Sequence, residues 1–136
     1  MASAADAELV LKLYELRQEE SLRQARRFLV SEFNPKTLEE LRAVSREKTS
    51  DKNVFWRQAT TYWEMAASLV VKGALDADLY LASNGEGLLI YAKFHHFHAE
   101  SEKETGLFMK QTATLIERYP AAKAIYSEIL KRFGSA

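Results

Sequence analysis

The chain has 136 residues, 47% of them hydrophobic and 28% charged, with 19 basic and 19 acidic side chains that cancel. That balance gives no bulk attraction to nucleic acid or to an anionic membrane surface, and the length suits one domain with a real hydrophobic core. Cysteine is absent, which removes disulfides, cysteine-ligated zinc and thiol catalysis and fits a reducing cytoplasm.

The first residues carry acids ahead of their apolar positions and no basic leader, so they read poorly as a signal peptide. From about residue 6 to residue 33 the spacing predicts one long helix, stopping where Asn34-Pro35 removes a backbone donor. Val10, Leu11, Tyr14, Leu22, Ala25, Leu29 and Phe33 form one stripe on it, the expected core face. Leu9, Leu13 and Leu16 form a second stripe on roughly the opposite side of its first turns. A helix end that is apolar on two sides needs two partners, and the second could be another part of the chain or a second subunit.

Thr37 and Glu40 supply a capping-box pattern for a short second helix, which runs into the polar stretch "REKTSDKN". Residues 51–72 then carry Phe55, Trp56, Ala59, Tyr62, Trp63, Ala66 and Val70 on one broad face, marking a central core helix that Gly73 ends. Arg57 and Glu64 fall on its other side and are expected to be exposed or paired with a neighbouring segment. Asp76 caps "ADLYLAS", and "NGEG" makes the next turn. The segment "LLIYAKFHHFH" is apolar nearly all round and reads as a helix buried on several sides. "LFMKQTATLIERY" follows from about Gly106, and Pro120 opens the last helix. No apolar run approaches the roughly 18 residues that span a bilayer.

The three histidines of the chain, His95, His96 and His98, sit together in "YAKFHHFHAESEKE". On a continuing α-helix Tyr91, His95, His98 and Glu102 share a face, and two imidazoles with a carboxylate are a candidate shell for iron, zinc or manganese. The spacing is H-x-x-H-x-x-x-E rather than H-E-x-x-H, and the Glu-x-x-His pairs of di-metal bundles are missing. The competing expectation is a core helix emerging into a charged turn with its rings half covered. Arg17, Arg23, Arg26 and Arg27 give the first helix a basic face, although interleaved glutamates favour a solvated surface over a nucleic-acid site. No Walker loop, nucleophile elbow or dinucleotide fingerprint occurs, so no cofactor is implied.

The stretch "YWEMAASLVVKGALDADLYLASNGEGLLIYAKF" resembles a group of small helical bacterial proteins of uncharacterised function. Tyr62, Trp63, Glu64, Gly73, Leu75, Asp76, Leu79, Gly85 and Glu86 carry the likeness. The resemblance implies a shared helical fold and a bacterial source, and supplies no catalytic residue or substrate. The resulting expectation is a single all-α domain over residues 1–136, a bundle of about five to seven helices. Its leading function is a cytoplasmic, non-enzymatic protein-interaction module, self-associating as a homodimer through Leu9, Leu13 and Leu16 of the first helix. The alternatives are a metal sensor or metal-dependent enzyme using His95, His98 and Glu102 and, more weakly, a nucleic-acid binder.

Overall fold

A computed structural model describes residues 1–98 and 108–134. Among them lie eight α-helices: α1 (Ala4–Arg17), α2 (Glu20–Arg27), α3 (Leu38–Ser45), α4 (Asp51–Val71), α5 (Ala77–Ser83), α6 (Glu86–His95), α7 (Lys110–Arg118) and α8 (Pro120–Gly134). A π-helical turn, Phe28–Glu32, follows α2, and a 3₁₀ turn, His96–His98, follows α6. No strand occurs among the described residues. The all-α expectation holds, and the helix count exceeds it by one because the long first helix is broken.

That break lies at Gln18–Glu19, where neither glycine nor proline marks it. Glu19 takes an extended conformation (φ −62°, ψ 136°), and its carboxylate accepts the Leu22 amide. It thus caps α2 with its own side chain, a role more often filled by Ser, Thr, Asp or Asn. At its far end α2 widens into the π turn, where the Phe33 amide reaches the Phe28 carbonyl. Lys93 of α6 donates to the Leu29 and Val30 carbonyls there, at 2.8 and 3.3 Å.

α4 is the spine: α2, α3, the π turn, α6 and α7 all pack on it. Its Trp56, Ala59, Tyr62, Trp63, Ala66 and Val70 are buried, as the broad apolar stripe predicts. Gly87 of α6 sits against the Trp63 ring, where an added Cβ would come within 3.2 Å of a ring carbon. Gly73 ends α4 at φ +86°, the left-handed region that glycine enters freely.

α1 departs from expectation. It packs on α5 and α2, and Asp6 at its start accepts the backbone amide of Asp76, the N-cap of α5. The residues it turns inward are Leu13 and Arg17, both buried, with Leu9 and Val10 half-buried. Leu11 and Tyr14, expected in the core, are 67% and 58% exposed. The reason is the break at Gln18–Glu19. A stripe projected from α2 back through α1 assumes one continuous helix, and the interruption frees α1 to set its own rotation.

Candidate functional site

Three regions hold side chains with chemistry to offer. The first joins α1, α2, α4 and α6. Arg17 is only 7% exposed and donates to Asn84 Oδ1 at 2.6 Å and to the Tyr62 hydroxyl at 3.3 Å. Its guanidinium lies 5.3 Å from the Trp63 ring centroid. Tyr62 in turn donates to the Leu13 carbonyl at 2.6 Å, and burial pushes its phenol above the ordinary range, so it remains a neutral hydrogen-bonding group. One step away, Arg26 pairs with both oxygens of Glu86, at 2.7 and 3.0 Å, while Trp63 Nε1 donates to the same carboxylate at 3.1 Å. The hydrogen bond to Glu86 holds the Arg26 guanidinium more firmly in its charged form. Two of the four arginines assigned to a solvated basic face are therefore engaged inside the protein.

These contacts explain the stretch that carries the resemblance. Tyr62, Trp63 and Glu86 hold α1 and α2 onto α4 and α6. Glu64 accepts the backbone amides of Gln111 and Thr112, at 2.8 and 2.9 Å, and so caps the N-terminus of α7. That helix has no cap of its own, because the residue before it, Met109 (φ 48°), carries no side-chain oxygen to accept the free amides. Asp76 accepts the Leu79 amide as the cap of α5. The pattern "YWE…NGEG" encodes tertiary attachment.

The second region is the end of α6. The α-helix stops at His95, and His96–His98 continue as a 3₁₀ turn, in which residues three apart stay on one side; Tyr91 and His98 both stack on Phe108. The His95 ring stacks on Tyr91 at 4.5 Å, and the His98 ring on Phe108 at 4.6 Å. His98 Nδ1 donates to the Phe94 carbonyl at 3.2 Å. His95 and His98 are half-buried, and His96 is exposed. Beneath them Phe108 stacks on Trp56, which meets Phe94 edge-on, so the imidazoles top an aromatic core. Among the described residues no group of three or more His, Cys, Asp or Glu side chains could hold a metal ion. Glu102, the carboxylate of the expected metal set, lies outside the described residues.

Beside this turn runs a groove of about 630 Å³ between α6, α8 and residues 34–36. Asn34, Lys36, Lys93, His95 and His96 contribute its polar lining, and Phe97, Tyr126, Leu130 and Phe133 much of its apolar wall. Lys93, Tyr126, Leu130 and Phe133 carry no signal as site residues in the sequence, because α6 and α8 meet only in the folded chain.

The third region is the outward side of α1. Leu16 is 39% exposed, whereas Leu13 is 2% exposed and Leu9 half-buried. The expectation that Leu9, Leu13 and Leu16 would stand clear as a surplus stripe is therefore corrected, since Leu13 is spent on the core. The side facing water carries Ala4, Ala7, Leu11 and Tyr14.

These features define a small all-α domain whose polar clusters hold helices together and whose free surfaces are an apolar helix face and a cation-lined groove. The chain belongs to the DUF4760 family, a domain of unknown function, whose model matches residues 2–119. The match accords with the resemblance to uncharacterised helical proteins and ends at the residue before α8. No curated protein and no solved structure matches the chain. No helix among the described residues is long and apolar enough to cross a membrane.

Proposed function

We propose that the chain is a non-enzymatic interaction module that self-associates through the outward face of α1. The observation that carries this reading is the spacing of Ala4, Ala7, Leu11 and Tyr14, all exposed. Steps of three, four and three place them in one line, the seam that pairs two helices in a coiled coil. Leu11 and Tyr14 are among the most exposed large apolar side chains of the chain, and contiguous exposed apolar surface marks contact sites. Its flank carries charges of both signs, Lys12 paired with Glu15 and Glu8 one turn before, so an identical face does not meet it with a block of like charge. The setting on this reading is the cytoplasm of a bacterium, supported by the absence of cysteine and by the resemblance to bacterial proteins.

Sedimentation velocity tests the proposal directly. Wild type is expected to dimerise in the micromolar range, and a Leu11→Ser/Tyr14→Ser variant to stay monomeric. Because both positions are exposed, the variant should keep its folding stability to about 0.5 kcal/mol. A wild-type chain that remains monomeric at high micromolar concentration removes the proposal. A variant that still dimerises moves the interface to another face.

A further inference from the structure

The groove beside the histidine turn is lined by cations, with no acidic side chain among its described lining residues. Lys93 is half-buried at its edge, and its ammonium donates to two neutral carbonyls, those of Leu29 and Val30. It makes no ion pair among the described residues. A partly desolvated cation whose partners are all neutral is a cost that an incoming anion would relieve. Burial already draws the Lys93 amine toward its neutral form, as expected of a cation lacking a counter-charge. Lys36 and His96 line the same groove, and among the described residues no Asp or Glu does. Glu40 of α3 is engaged by the Lys36 backbone amide.

The remainder of the groove is apolar. Leu130 and Phe133 are 38% and 46% exposed on its α8 wall, and Phe97 and Tyr126 are half-buried. A volume of about 630 Å³ falls within the range of small-molecule sites, and a few placed polar groups beside apolar walls is their usual make-up. We propose that this groove binds a free amphiphilic monocarboxylate, with its head at Lys36, Lys93 and His96 and its apolar chain along Phe97, Tyr126, Leu130 and Phe133. The α8 residues lie beyond the stretch matched by the family model, whereas Lys36, Lys93 and His96 lie within it. The site is independent of the α1 face, and its test reads binding rather than oligomeric state.

The probe is octanoate, kept below its micellar concentration and titrated calorimetrically into the full chain. Octan-1-ol serves as the same tail without charge, and acetate as the head without a tail. One octanoate per chain is expected, with octan-1-ol about tenfold weaker, equivalent to one charged contact, and acetate not detected. Lys36→Glu should weaken octanoate about tenfold, and Leu130→Ser/Phe133→Ser should abolish binding. All these positions are exposed, and circular dichroism checks that each variant keeps its helices. The ring C–H resonances of His96 should shift on addition of octanoate and stay put with acetate. Absence of saturable octanoate binding, or equal binding of the alcohol, overturns the proposal. So does octanoate binding that neither variant alters. Flotation of the chain with phosphatidylglycerol vesicles, without binding of monomeric octanoate, overturns it in favour of a membrane surface.

Discussion

Helices α1 and α4 carry the same kind of signal, apolar residues at helical spacing, and the fold treats them differently. On α4 the apolar positions merge into one broad face, so only one rotation buries them, and Trp56, Ala59, Tyr62, Trp63 and Ala66 are buried. On α1 two narrow stripes compete. The fold chose the side of Leu13 and left Leu11 and Tyr14 in water. A periodic pattern names the faces of a helix; it names the buried one only when there is a single candidate.

Substitutions can break or sharpen this contrast. The largest effect is expected at the centre of α4. Trp63 is 1% exposed, packs against Gly87 and donates to Glu86, so Trp63→Ala should cost about 3–5 kcal/mol in chemical denaturation. A loss below about 1 kcal/mol would show that α4 is not the spine. On α1 the decisive comparison is Leu13→Ala against Leu11→Ala. The buried position should lose about 2–3 kcal/mol and the exposed one less than about 0.5 kcal/mol. The reverse order would restore the stripe that helical continuity predicted.

The smallest effect concerns how α1 is tied down. Asp6 accepts amides from Ser3 and from Asp76, and these backbone hydrogen bonds hold its carboxyl below the usual carboxylate range. A depressed folded pKa adds stability that is present above the unfolded value, about pH 3.9, and is lost as pH falls through the folded value. Asp6→Asn should therefore flatten the acid limb of the stability curve below about pH 4 and leave it unchanged near neutrality apart from a constant offset. Parallel acid limbs for the two proteins would show that the tie between α1 and α5 contributes nothing.

The histidine cluster shows how far a site can be read from residues alone. Helical spacing placed Tyr91, His95 and His98 together and foresaw rings half covered at the exit of a buried helix. The switch to a 3₁₀ turn at His96 had no local marker, yet His98 keeps to the side of Tyr91, both rings stacking on Phe108. The groove beside it escaped notice because its walls come from α6, α8 and residues 34–36. Lys93 carried no signal in the sequence until the π turn presented two carbonyls to it.

The sequence by itself determined that the chain is helical, where most helices begin and end, and which face of α4 is covered. Those are local properties: capping side chains, Gly73, Pro120 and periodicity act over one or a few turns. Only the tertiary structure decided the rotation of α1, the capping of α7 by Glu64 and the charge pattern of the groove. Glu64 meets Gln111 across 47 residues of chain, and an attachment of that kind leaves no periodic or compositional trace. It forms because a helix end brought into the core must find acceptors for its free amides, and the packing of α7 on α4 supplies the carboxylate.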